Sequence, residues 1–272
     1  MRNAALISLV LTVVTSTIAR AVEPPSSDTA AKVLKDSPRH GEWADVAMPG
    51  SDTKIHTWVV YPETKDKAGV VIVIHEIFGL SDWVRSVADQ LAAEGFVAVA
   101  PDLVSGMAPK GGGSEELGDN VRDVIRKVSA DEQVKRLDAV REYAIALPAA
   151  NGKAATIGFC WGGSASFLYA SRQPKLNAAL VYYGTAPKEK EALSKITAPV
   201  IGFYGGDDAR VTQTVEPTKA AMKELDKPYE TNVYDGAGHG FLRQQSGRDG
   251  NLKAAKDAWE KSIAFLKKNL AS

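Results

Sequence analysis

The chain has 272 residues, 44% of them hydrophobic and 24% charged, which is enough apolar material for one large α/β domain with a sizeable core. Its 33 Lys and Arg balance 33 Asp and Glu, so there is no electrostatic footprint for nucleic acid and no such partner is expected. A single cysteine, Cys160, excludes a disulfide framework within the chain.

The N-terminus carries a targeting pattern. Arg2 supplies a positive start, Ala4 to Ile18 is apolar apart from Ser and Thr, and no acidic residue precedes Glu23. Ala19-Arg20-Ala21 offers small residues at both positions of an A-x-A cleavage site, so residues 1–21 read as a signal peptide and the protein as exported, periplasmic or secreted. The apolar run falls short of the roughly 20 residues that a bilayer span needs, and no stable membrane insertion is expected after cleavage. Removing Arg2 and Arg20 leaves 31 basic against 33 acidic residues, a net charge of −2.

Residues 22–41 open on Glu23-Pro24-Pro25-Ser26-Ser27-Asp28 and read as a flexible leader to a single domain over 42–272. Strands are expected at 42–48 and 55–61, around a Pro49-Gly50-Ser51-Asp52 turn. The continuously apolar run Gly69 to Ile74 fits a strand buried on both faces of a parallel sheet. Ser81 to Glu94 is helical and stopped by Gly95. Strands at 96–100, 154–159, 178–183, 199–204 and 230–234 then alternate with helices at 130–147, 163–172, 214–226 and 249–269. Such alternation specifies a mainly parallel central sheet with helices on both faces. In such a sheet, ligands bind at the carboxyl ends of the strands.

Three loops on that edge carry reactive side chains. Gly158-Phe159-Cys160-Trp161-Gly162-Gly163 has the G-x-nucleophile-x-G form of a strained strand-to-helix elbow, with cysteine in place of serine. The following helix N-terminus is expected to favour a thiolate and to aim N–H groups at a developing oxyanion. Tyr204-Gly205-Gly206-Asp207-Asp208 follows one late strand, and Gly236-Ala237-Gly238-His239-Gly240-Phe241 follows the next. The chain order of nucleophile, acid and histidine is that of α/β-hydrolases. Of the four histidines only His239 lies after the late strands, where it could move a thiol proton while the acid orients its ring.

With these pieces, and with His75-Glu76-Ile77-Phe78-Gly79-Leu80, Ala100-Pro101-Asp102-Leu103 and Tyr182-Tyr183-Gly184, the sequence resembles the dienelactone hydrolases (carboxymethylenebutenolidases) over nearly all of its mature length. The resemblance implies an α/β-hydrolase fold with Cys160 as nucleophile, His239 as base and Asp208, rather than Asp207, as acid. It also implies that Glu76 contacts the cysteine at rest and helps to deprotonate it when substrate binds. Desolvation at the end of an apolar strand would raise the Glu76 pKa and suit it to accept a proton. The backbone N–H groups of Ile77 and Trp161 are the implied oxyanion hole.

Family members hold the carboxylate of their lactone with arginines. Arg243, four residues after His239, stands at the spacing of one of them, and Phe78 and Tyr183 fall in the implied substrate pocket. A second arginine is implied between Asp102 and the next long helix, where Arg122 and Arg126 both qualify, Arg122 being preferred. The stretch Val104 to Gly113 departs from the family pattern, as does Gly240 beside the histidine. No metal or organic cofactor is expected: there is no H-E-x-x-H, cysteine cluster or G-x-G-x-x-G. The expected protein is a monomeric hydrolase of a small lactone or carboxylic ester. A broader esterase or thioesterase is the alternative enzyme, and a non-catalytic binding protein on the same fold is the alternative of another class.

Overall fold

The computed structural model describes residues 21–271. An eight-stranded sheet runs through the chain in the order β1-β2-β4-β3-β5-β6-β7-β8. Its strands are β1 (Gly41–Ala47), β2 (Lys54–Val60), β3 (Ala68–Ile74), β4 (Val97–Pro101), β5 (Ala150–Phe159), β6 (Ala178–Tyr182), β7 (Val200–Gly205) and β8 (Tyr229–Tyr234). β1 and β2 form an antiparallel hairpin that joins β4 antiparallel, and all later neighbours pair in parallel. All seven residues of β3 are buried, as its unbroken apolar run requires of a strand covered on both faces.

Residues of β3 alternate between two cores, because successive side chains point to opposite faces. Val71 and Val73 pack with α1 (Ala30–Lys35), α2 (Asp82–Ala93) and α10 (Asp249–Leu270). Val70, Ile72 and Ile74 pack with α5 (Ala130–Ile145), α6 (Trp161–Arg172), α7 (Lys190–Ser194) and α9 (Val215–Glu224). Three short helices, α3 (Ser114–Leu117), α4 (Val121–Ile125) and α8 (Ala209–Thr212), sit in the loops at the strand ends. Among the described residues no helix is long and apolar enough to cross a membrane.

One expectation changes. Residues 22–41 are docked rather than loose: α1 buries Ala30 completely, Trp83 Nε1 donates to Pro25 O at 3.1 Å, and Gln245 Nε2 donates to Pro24 O at 2.7 Å. Proline-rich composition does signal a break in regular structure, but it carries no information about whether the carbonyls find buried donors elsewhere in the chain. The segment 104–126 is tied to the end of β4. Asp102 accepts from Ser114 N at 2.6 Å and from Ser114 Oγ at 2.7 Å, which pins α3 and, through it, α4 over the strand ends. The signal-peptide reading covers residues 1–21, of which 1–20 lie outside the described residues.

Candidate active site

The parallel strands β3, β5, β6, β7 and β8 are successive neighbours, so their carboxyl ends line one edge of the sheet. Glu76 follows β3, Cys160 follows β5, Tyr183 follows β6, Asp208 follows β7 and His239 follows β8. Topology alone therefore gathers side chains that lie far apart in the chain.

Cys160 occupies the elbow at φ 55° and ψ −114°, a left-handed conformation that costs a non-glycine residue of order 1–3 kcal/mol. Its neighbours make that position possible. A Cβ on Gly158 would run into the carbonyl oxygen of Gly162, and one on Gly162 would meet those of Ile74 and His75. Helix α6 begins at Trp161, immediately after Cys160 rather than at 163, so the Trp161 N–H reaches the sulfur and favours its anion. Burial opposes this more strongly, and the nearby Glu76 carboxylate adds to the opposition, so the thiol pKa is raised. The helix N-terminus thus favours the anion as expected, but other causes outweigh it at rest. In the resting site the sulfur keeps its proton because desolvation and a like charge outweigh one backbone N–H.

His239 Nδ1 lies 2.5 Å from Asp208 Oδ2, and Asp208 is 8% exposed. That contact fixes the ring and leaves Nε2 for proton transfer. The backbone of the loop is held separately, with Gly238 N donating to Asn251 Oδ1 at 2.9 Å. Asp207 turns away to an exposed pair with Arg248 at 2.7 Å.

Glu76 is 3% exposed and faces Arg243, whose Nε lies 2.6 Å from Glu76 Oε2. The contact is an ion pair and not a formed hydrogen bond, because the Arg243 N–H is not directed at the oxygen. Burial drives the Glu76 pKa up to about 7, with the Arg243 charge resisting the rise. The Arg243 guanidinium lies over the Phe78 ring, 4.7 Å from its centroid, and that of Arg122 lies 4.6 Å from the same centroid. The two arginines thereby meet on one aromatic ring. Arg126 does not join them and pairs with exposed Asp123 at 3.4 Å.

Tyr183, at φ 40°, sets its ring edge-on to His239 with centroids 5.0 Å apart. Its hydroxyl is buried with no hydrogen-bond partner among the described residues, and burial together with the Glu76 and Cys160 charges raises its pKa. Ile77 directly follows Glu76 and packs against the small core that includes Val121 and Trp161, near the nucleophile helix.

One contributor escaped the sequence reading, which named His75 within the His75-Glu76-Ile77 motif and gave it no role. Its ring is fully buried, with Nδ1 2.8 Å from Glu76 O and Nε2 accepting from Leu103 N at 3.1 Å. It also stacks on Trp161 with centroids 5.4 Å apart. His75 thus ties the Glu76 backbone to the β4 loop and the nucleophile helix. Two surface hollows hold none of these side chains: one of 890 Å³ surrounds His56 and Asp102, and one of 770 Å³ lies between β1 and α5. Chemistry, and not hollow size, singles out the site.

An eight-stranded, mainly parallel sheet with a strained elbow before a helix, and an aspartate-bound histidine on a later loop, defines an α/β-hydrolase. The pattern of the dienelactone hydrolase family matches residues 55–270, and the chain belongs to that family. It is 31% identical over 256 residues to a candidate carboxymethylenebutenolidase of Saccharolobus solfataricus, covering 82% of this chain and 98% of that protein. It is also 31% identical over 235 residues to one of Salmonella typhimurium, covering 81% and 85%. The crystal structure of a candidate dienelactone hydrolase of Klebsiella pneumoniae matches with a TM-score of 0.72 at 26% identity, covering 85% of this chain and 99% of that one.

Proposed function

We propose that this hydrolase uses Cys160, His239 and Asp208 to cleave a lactone or carboxylic ester that carries a carboxylate. The observation that carries the reading is the Arg243–Glu76 pair beside the nucleophile. An incoming carboxylate competes for the Arg243 guanidinium, and Arg122 on the other contact of Phe78 adds a second cation. Glu76, released from Arg243, draws off the Cys160 proton. The thiolate attacks the carbonyl carbon while the Ile77 and Trp161 N–H groups receive the oxyanion. His239 hands a proton to the leaving enolate or alkoxide oxygen and recovers one from the water that opens the thioester. The departing Cys160 thiolate then takes its proton back from Glu76. No step needs a metal or organic cofactor.

The test is Arg243→Ala against an acidic lactone and a neutral nitrophenyl ester. Losing a charge-assisted contact worth about 1.5–3 kcal/mol should raise KM for the acidic substrate roughly 10- to 150-fold more than for the neutral one. Arg243→Lys should rescue only part of the loss, since a point charge lacks the planar fork. Equal effects on both substrates would remove the carboxylate from the proposal and leave a broader esterase. Export is proposed on the N-terminal pattern alone. Protein from its native host should begin near Val22, and soluble cytoplasmic protein retaining Met1 would overturn it.

A further inference from the structure

Arg243 sits in a loop whose turn begins at Gly240, with Gly240 O accepting from Arg243 N at 3.0 Å and from Gln244 N at 2.9 Å. The carbonyl of Arg243 faces the other way and receives two donors from a segment more than two hundred residues earlier. Ser27 N donates to it at 2.9 Å and Ser26 Oγ at 3.1 Å.

These serines belong to a stretch anchored on both sides of that contact. Upstream, Gln245 Nε2 holds Pro24 O at 2.7 Å, Trp83 Nε1 holds Pro25 O at 3.1 Å, and Glu23 stands 3.9 Å from Lys256. Downstream, Arg39 pairs with Asp89 at 2.5 Å, and Ser37 Oγ donates to the same carboxylate at 2.6 Å. Two consecutive prolines fix their own φ and reduce the entropy lost when the segment docks. The stretch is therefore a strap docked over the Arg243 backbone.

We propose that residues 23–27 are a positioning element for Arg243 and so set the affinity of the site for carboxylated substrates. The inference rests on the proposed role of Arg243 in holding a carboxylate. At rest the guanidinium is held by Glu76 and by the face of Phe78. Once a substrate carboxylate takes it over, the Glu76 contact is surrendered and the backbone must hold the fork in place. The strap supplies that hold with two hydrogen bonds to one carbonyl. His239 is held by Asp208 and, through Gly238, by Asn251, contacts that the strap itself does not make. The strap therefore acts on binding of the charged group and not on the proton transfers.

Ser26→Ala and Ser27→Pro each remove one donor to Arg243 O in the full-length mature protein. Each should raise KM for an acidic lactone about 3- to 10-fold, the worth of a neutral hydrogen bond. Neither kcat nor the KM for a neutral ester should move by more than about twofold. Ser37→Ala, which loosens the far anchor, should lower the melting temperature without the charge-selective change in KM. Ser26→Ala deletes a single hydroxyl and keeps the test open if Ser27→Pro fails to fold. If the serine variants affect both substrates equally, or affect neither while Arg243→Ala remains selective, the strap is structural only and the proposal is wrong. If Arg243→Ala itself shows no selectivity, the carboxylate reading fails first and the strap has no grip to position.

Discussion

Arg243 Nε stands 2.6 Å from Glu76 Oε2, and this pair holds the proposed proton acceptor in reserve. Burial raises the Glu76 pKa to about 7, while the Arg243 charge keeps it from rising further. Glu76 is thus protonated below that pH and ionised, able to accept the thiol proton, above it. With a neutral ester, kcat/KM should rise as pH passes upward through about 7. Arg243→Ala removes the opposing charge and should move that limb to higher pH, and Glu76→Gln should abolish it. A limb that stays in place in both variants would belong to another group and exclude Glu76 as the acceptor.

Cys160→Ala should cost more than about 10³-fold in turnover while leaving the melting temperature close to wild type, the usual penalty for losing a nucleophile from a set of groups that act together. Asp208→Asn should be far more damaging than Asp207→Asn, because Asp208 is buried against His239 whereas Asp207 makes an exposed pair with Arg248. Steady-state rates of the three variants on one ester decide both points. The reverse order for the aspartates would reassign the acid.

His75 gives the fold a pH dependence of its own. Burial lowers its pKa, so the folded protein holds the ring neutral, with Nδ1 donating to Glu76 O and Nε2 accepting from Leu103 N. A depressed histidine contributes stability that is fully present above the ordinary pKa of about 6.5 and is lost as pH falls below it, where the unfolded chain takes up the proton. Melting temperatures from pH 8 to pH 5.5 should therefore fall more steeply for wild type than for His75→Gln, whose amide can donate and accept without titrating. Parallel slopes would show that the ring is not the group responsible.

The sheet and the candidate site were legible in the sequence to different depths. A strand buried on both faces announces itself by an unbroken apolar run, so β3 stood out, and the loops after β3 and β5 put Glu76 and Cys160 on the same edge. Local spacing left Arg122 and Arg126 both open, with only a preference for Arg122. That choice depends on how α3 and α4 hang from Asp102, a contact across the chain. The docking of residues 22–41 was hidden for the same reason, since the partners of Pro24 and Ser26 are Gln245 and Arg243. The helix N-terminus beside Cys160 is visible in sequence, whereas the burial and the facing carboxylate that outweigh it are properties of the assembled site.

The raised thiol pKa leads to a prediction that separates reactivity from turnover. Burial is the larger cause and the Glu76 carboxylate the second, so in the resting protein Cys160 should react slowly with iodoacetamide at pH 7. Glu76→Gln removes the second cause and leaves the first. The thiolate population should then increase, and labelling with it, although a less basic thiolate is also a weaker nucleophile. Each tenfold gain in thiolate therefore yields only about a threefold gain in rate. Hydrolysis should move the opposite way, because the amide can no longer take the proton when substrate arrives. Mass spectrometry of the labelled protein and an ester assay on the same preparation give both numbers. Faster alkylation with slower hydrolysis in Glu76→Gln is the signature of a carboxylate that restrains the thiol at rest and activates it on demand. Equal labelling rates in the two proteins would show that Glu76 does not govern the thiol.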